Sequence, residues 1–253
     1  MHESLTFRTI GEGPLLLLIH GAAEDAAMLG PQARAFAERG RRVAWYDRRG
    51  TGSTARTGWP EGGVDLHADD AATVVRELGG AAQVLGFSSG GVVAMALAAR
   101  HPELDLDVIA WEPAAITALE GGLDIHDSIM KPVDLYLDQN PGDWTGAYAI
   151  MLDLVSGGQA DMSSPGVAAQ LVNAEPAVRD DARVITRHEF PPGSIPPNRV
   201  RLAHGRAASD IHAGVMARLV SAHGLTTVVV DAALDHEVYL KTPDVLARMD
   251  LSR

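Results

Sequence analysis

The run Gln83-Val84-Leu85-Gly86-Phe87-Ser88-Ser89-Gly90-Gly91-Val92-Val93-Ala94-Met95-Ala96 decides the fold of this chain. It reads as a buried strand, a sharp turn and the start of a small-residue helix, with Gly86-Phe87-Ser88-Ser89-Gly90 matching G-x-S-x-G at the turn. In that setting the pattern lifts a serine hydroxyl clear of a strand end. The bend strains the serine backbone and crowds the positions two residues away on either side, which glycine relieves. Only Ser88 has glycine at both positions, so the register selects Ser88 over Ser89 as nucleophile. The helix that follows aims its first amides at the turn, where they favour a developing oxyanion. A turn with capping serines is the plainer alternative; the strand and helix around it favour the nucleophile.

Outward from this turn the chain alternates. Leu15–His20, Val43–Asp47 and Leu106–Trp111 are continuous apolar runs, as expected for strands covered on both faces. Helix patterns fill the gaps at Gln32–Arg39, His67–Leu78 and Gly90–Arg100, the last stopping before Pro102. The expected fold is α/β, with a mostly parallel central sheet and helices on both faces. Leu5–Ile10 is a candidate antiparallel edge. After Pro113 the pattern turns helical, at Asp127–Gln139 and Trp144–Val155, and closes in the proline-rich connector 190–197. Strands then resume at Arg199–Ala203 and Thr226–Val230, with helices at Asp210–Ala222 and Pro243–Met249. The organisation expected is a core of residues 1–112 and 199–253 carrying a helical cap, 113–198, of about 85 residues, too long for a bare loop.

The 253 residues are 46% hydrophobic and 21% charged, the composition of an ordinary globule. With no cysteine, disulfides and thiolate metal sites are excluded, and a cytoplasmic location fits. A formal charge of −12 argues against nucleic acid and anionic membranes as partners. Met1-His2-Glu3-Ser4 lacks the start of a signal peptide, so none is expected. The ten histidines show no metal spacing, and no metal or organic cofactor is implied.

Acyl transfer needs three further parts. The loop His20-Gly21-Ala22 after the first strand offers backbone amides to an oxyanion; Gly21, Ala22 and Ser89 are the candidates, Ala22 and Ser89 foremost. His20 itself reads as structural. His236 follows the last strand in Asp231-Ala232-Ala233-Leu234-Asp235-His236 and closes the chain order serine, acid, histidine. For the acid the sequence leaves two carboxylates open. The loop after the post-cap strand, Gly205-Arg206-Ala207-Ala208-Ser209-Asp210, has Ala208 where the commonest arrangement has Asp; Asp210 comes two residues late and suits a helix cap. Glu112 ends the strand before the cap, 112 − 88 = 24 residues past the nucleophile, and glutamate has the longer reach. Glu112 is the preferred reading and Asp210 the alternative.

Taken together, His20-Gly21, Tyr46-Asp47-Arg48-Arg49-Gly50-Thr51-Gly52-Ser53, Gly86–Gly90, Asp235-His236 and Pro243 make the chain resemble the α/β-hydrolase superfamily over nearly its whole length. A narrower similarity is to the zearalenone hydrolases, which open a macrocyclic lactone. It rests on the double serine, on Glu112 before a small helical cap, on Val155-Ser156-Gly157-Gly158 and on Ile195-Pro196-Pro197. The resemblance implies a lactonase with a serine–histidine–glutamate triad, and so raises Glu112 above Asp210. Two features depart from that family. The family's cap tryptophan has no counterpart in Arg183-Val184-Ile185-Thr186-Arg187, and the segment before the oxyanion glycine differs at His20. Trp111, Trp144, Tyr148 and Ile185 are the candidate substrate contacts. Rival readings keep the triad for other bonds, as a general esterase, a carbon–carbon bond hydrolase, a perhydrolase or a peptidase, or keep only the fold as a small-ligand-binding protein.

Overall fold

The computed structural model describes residues 5–52 and 54–249. The opening Met1-His2-Glu3-Ser4 and Ser53 of the arginine–glycine run lie outside the described residues. Seven strands form one sheet in the order β1-β3-β2-β4-β5-β6-β7. They are β1 (Phe7–Ile10), β2 (Leu15–Ile19), β3 (Arg42–Tyr46), β4 (Ala81–Phe87), β5 (Asp105–Trp111), β6 (Val200–Gly205) and β7 (Thr226–Val230). Only β1 is antiparallel, as the expected edge strand against β3; the remaining pairs are parallel.

The apolar runs are continuous because both faces of the sheet are covered. Leu17, Ile19 and Val84 enter one core with the helices α2 (Gly63–Glu77), α3 (Ser89–Arg100) and α8 (Asp210–His223). Leu16, Leu18 and Leu85 enter the other, with α1 (Gly30–Ala37), α9 (Val238–Lys241) and α10 (Pro243–Ala247). The helix α2 begins four residues before the sequence pattern does, because Gly62 and Gly63 carry no periodicity to read. No helix among the described residues is long and apolar enough to cross a membrane.

Between β5 and β6 the chain builds α4 (Gly122–Gln139), α5 (Trp144–Ser156), α6 (Pro165–Leu171), α7 (Ala174–Pro176) and a π-helical segment, Ala177–Ile185. These helices have their own apolar cluster of Met130, Val133, Ala147, Tyr148, Met151, Ala177, Val178 and Ala182. Ala23, from the loop after β2, joins that cluster. The connection is thus fastened directly above the loop that follows His20.

The π-helical segment was not readable in advance. Its two adjacent acids point into the protein. Asp180 accepts from Trp59 Nε1 at 2.8 Å and lies 2.7 Å from His67 Nε2. Asp181 pairs with Arg48 at 2.6 Å, with side-chain exposures of 2% and 1%. Breaking a buried pair of this kind costs about 3–5 kcal/mol.

Candidate active site

Parallel register sets the site. Phe87 pairs with Trp111, and Trp111 with Ala203, so the residues that follow β4, β5 and β6 leave the sheet at one edge. Ser88 occupies φ 54°, ψ −117°, the strained turn its motif calls for. Such backbone costs of order 1–3 kcal/mol and persists only where the surroundings enforce it. The two glycines are enforced by contact. A Cβ at residue 86 would sit 2.3 Å from Gly90 O, and one at residue 90 would sit 2.3 Å from His20 O. The Ser88 residue is half-buried, and its hydroxyl has no hydrogen-bond partner among the described residues.

Glu112 also has positive φ, 37°, and is 1% exposed. Its Oε1 accepts from Gly205 N at 3.0 Å, and its Oε2 lies 2.7 Å from His236 Nδ1. Burial pushes this carboxyl up, but the His236 hydrogen bond and charge, together with the Gly205 amide, outweigh it and hold the pKa below the usual range. The ionised carboxylate fixes the proton on Nδ1 and leaves Nε2 for proton transfer. Trp111 Nε1 donates to the His236 carbonyl at 3.0 Å, so the last residue of β5 and the one after it hold the histidine by backbone and by ring.

Asp210 is exposed on α8. It is not the cap of that helix either: Ser209 is, its side chain accepting from His212 N. The helix start carries His212 instead, a residue with no motif around it. Its ring stacks on His236 with centroids 4.4 Å apart and planes at 13°. Burial lowers its pKa to about 4, so it lies neutral against the site. Ligand atoms of Glu112, His212 and His236 lie within 4.8 Å of one another, a spacing a metal ion accepts. The nearly parallel rings do not converge their in-plane lone pairs on one point, and Nδ1 of His236 already faces Glu112, so the donor set fits an ion poorly.

The loop after β2 is held as tightly. His20 is fully buried, and burial lowers its pKa. Its Nε2 accepts from Arg48 N at 3.0 Å, which places the ring proton on Nδ1, 2.9 Å from Gly21 O. Both ring nitrogens are engaged. The Gly21 amide donates to Glu24 Oε2 at 2.8 Å. Gly21 is therefore corrected as an oxyanion donor, because its N–H is already spoken for. The amides of Ala22 and Ser89 have no partner among the described residues, and Ser89, as the first residue of α3, has no intrahelical acceptor. Glu24 also accepts from Tyr239 Oη at 2.5 Å, and burial pushes its pKa up to about 8. Tyr239 in turn stacks on Phe87, with centroids 4.1 Å apart.

The four expected substrate contacts separate. Trp111 is fully buried and spends its N–H on His236. Ile185 is fully buried in the main core, because the π-helical segment turns it toward the sheet. Trp144 opens α5, with Arg179 5.8 Å over its ring. Tyr148 is 4% exposed; burial raises its pKa, as do the charges of Glu237, Glu24 and Asp181. It shares an apolar cluster with Ala23 of the loop after β2. An open groove lined by Asp127, Lys131, Asp134, Leu135, Asp138 and Arg187 shares no residue with this site.

Comparison with known proteins agrees with the fold. The family model of the alpha/beta hydrolase fold matches residues 14–113, from β2 past the nucleophile turn to Glu112 and Pro113. The 2-(acetamidomethylene)succinate hydrolase of Mesorhizobium japonicum is 27% identical, over 96% of this chain and 88% of that protein. The uncharacterized hydrolase YraK of Bacillus subtilis is 34% identical over 47% of this chain and 44% of its own length, less than half of either. A solved alpha/beta hydrolase from Sphaerobacter thermophilus has a TM-score of 0.70 at 22% identity, covering 96% of this chain and 93% of that one.

Proposed function

From a chain with the α/β-hydrolase fold, we propose a serine hydrolase that cleaves a carboxylic ester or lactone through an acyl-enzyme. Ser88 attacks the acyl carbon while His236 takes its proton at Nε2. Glu112 keeps the imidazole in that tautomer and stabilises the imidazolium without accepting the proton. The amides of Ala22 and Ser89 hold the oxyanion. His236 then protonates the leaving alcohol or phenol, and a water deprotonated by His236 releases the acid. The observation that carries this reading is the strained Ser88 turn beside a 2.7 Å hydrogen bond between Glu112 and His236.

Within that class we favour a macrocyclic lactone of the zearalenone type, taken between the core and a lid of residues 113–198. The resemblance supports it through Glu112 and the double serine; the absent cap tryptophan weighs against it, and Trp144 or Tyr148 is our candidate to replace it. A second reading is hydrolysis of an acyl C–N bond, favoured by the likeness over 96% of the chain to 2-(acetamidomethylene)succinate hydrolase. Mass spectrometry on zearalenone, simple nitrophenyl esters and acylated enamines, with wild type and Ser88→Ala, separates them. The lactonase reading expects one water added to zearalenone by wild type and a loss of about 10⁴-fold or more in Ser88→Ala. Turnover of the enamines alone moves the assignment to C–N bonds. Equal rates in wild type and Ser88→Ala end the acyl-enzyme mechanism altogether.

A further inference from the structure

The second serine of the motif and the buried pair Arg48–Asp181 are left over by this mechanism, and they meet. Asp181 belongs to the π-helical segment of the cap, yet its carboxylate lies 2.6 Å from Arg48 Nη2. The same Arg48 nitrogen donates to Gly21 O at 3.0 Å and makes a long 3.5 Å contact to Ser89 Oγ. Arg48 remains charged there: burial opposes the charge, but the attraction of Asp181 and Asp180 outweighs it and raises the pKa.

We infer that Asp181 is a positioning residue through which the cap sets both halves of the oxyanion hole. The Gly21–Ala22 peptide is planar and trans, so its C=O and N–H point in opposite directions. Arg48 and His20 fix the C=O on one side, and Ala22 N–H is thereby turned to the other. The Glu24 carboxylate fixes the preceding N–H, so both peptide planes flanking Gly21 are held by side chains. The loop has little slack: a Cβ on Gly21 would lie 3.0 Å from Glu24 Oε1 and 3.2 Å from Phe87 O. On the other half, the Ser89 hydroxyl lies 3.5 Å from the same Arg48 nitrogen that holds the cap carboxylate, so the residue whose amide is the second donor meets the cap through that guanidinium. This gives the double serine a reason: Ser88 reacts, and Ser89 connects the nucleophile turn to the lid. A lid that lifts takes Asp181 with it, releasing Arg48 and loosening the hole, so oxyanion stabilisation is complete only with the lid seated.

The inference rests on the proposed acyl transfer at Ser88, and the test separates the two. Asp181→Asn, Ser89→Ala and the control Asp180→Asn are compared on a nitrophenyl ester, with kcat, KM and the Ki of a trifluoromethyl ketone that mimics the tetrahedral oxyanion. Asp180 is an equally buried carboxylate of the same segment whose hydrogen bonds go to Trp59 and His67; it acts on Arg48 through charge alone, and its loss leaves Arg48 bonded to Asp181. Displacing a donor is expected to lower kcat by about 10²-fold in Asp181→Asn and about tenfold in Ser89→Ala. KM should stay within about threefold, and the ketone Ki should rise in parallel with the loss of kcat. Asp180→Asn should lower Tm but keep kcat within about threefold. Unchanged kcat and Ki in Asp181→Asn and Ser89→Ala, or an equal loss of kcat in Asp180→Asn, overturns the inference. Should Asp181→Asn not fold, Ser89→Ala decides by the same two readouts. A wild type that hydrolyses no ester and is not labelled at Ser88 by a fluorophosphonate overturns the proposed reaction instead, and the inference with it.

Discussion

The ends of β5 and β6 lie side by side, yet only one carries a carboxylate into the site. At the end of β5 the chain bends through positive φ at Glu112, buries the carboxyl and saturates it with His236 Nδ1 and Gly205 N–H. At the end of β6 the chain gives that Gly205 amide away and then runs outward through the exposed Arg206 and Ala207 to the Ser209 cap. The β6 loop supports an acid that it does not supply. An acid that must hold an imidazolium in a low-dielectric site is placed by whatever backbone can bury it and feed it donors, more than by its position along the chain. The comparison breaks if the wrong strand end matters. Glu112→Gln is expected to lower kcat by about 10³–10⁴-fold, the scale for losing the tautomer-holding acid of a triad. Asp210→Asn should stay within about twofold. Steady-state kinetics of the two variants suffices, and a large loss in Asp210→Asn with a small one in Glu112→Gln would reverse the assignment.

Another buried carboxyl sharpens the point, because under comparable burial its pKa moves the other way. Glu24 meets only neutral donors, Tyr239 Oη and Gly21 N–H, and its pKa rises to about 8. Glu112 faces an ionisable histidine, and its pKa falls. The sign of the linkage follows. With a folded pKa of about 8 against roughly 4.3 unfolded, Glu24 binds more protons in the folded state between those values. Its contribution is full below about pH 4.3 and declines as pH rises towards about 8, by at most about 1.4 kcal/mol per pH unit. Glu112 acts in the opposite sense, and stability falls as pH drops below the unfolded carboxylate range. Chemical denaturation at pH 5 and pH 8 should show a decline in wild type that is reduced in Glu24→Gln. An unchanged slope in that variant would mean that Glu24 stays ionised.

What could be read in advance follows from how local the forces are. The mostly parallel sheet and the Ser88 turn were legible because burial on both faces writes continuous apolar runs in the central strands, and crowding at residues 86 and 90 demands glycine. Glu112 was legible only as one of two acids, since β5 and β6 pair through residues about 90 apart in the chain. The cap resisted. Its π-helical segment places two adjacent acids inward, which helical periodicity of 3.6 reads as a solvated face. The doublet Asp180-Asp181 beside the apolar Ala177 and Val178 was the available signal, with Arg48 and His67 as distant partners. Likewise Ile185 looked like a cap residue near substrate, and the wider turn of the segment sends it into the core.

Trp111 draws the finest line between the two strand ends, because it tests whether β5 holds His236 by one grip or two. Read from sequence it was a substrate contact; in the fold its indole N–H is spent on the His236 carbonyl at 3.0 Å and its ring is fully buried. Trp111→Phe keeps an aromatic ring in the core and deletes the donor. A hydrogen bond of this kind contributes about 1 kcal/mol net. The histidine then relies on Glu112 alone, and kcat should fall by about five- to tenfold with KM nearly unchanged. A KM effect with kcat preserved would return Trp111 to the substrate pocket. The size of the change should also depend on the acid: in a Glu112→Gln background, where the ring is already misheld, Trp111→Phe should add less than it does alone, because two groups that position one imidazole act as a unit. Full additivity would mean that the carbonyl contact stabilises the loop without bearing on the ring.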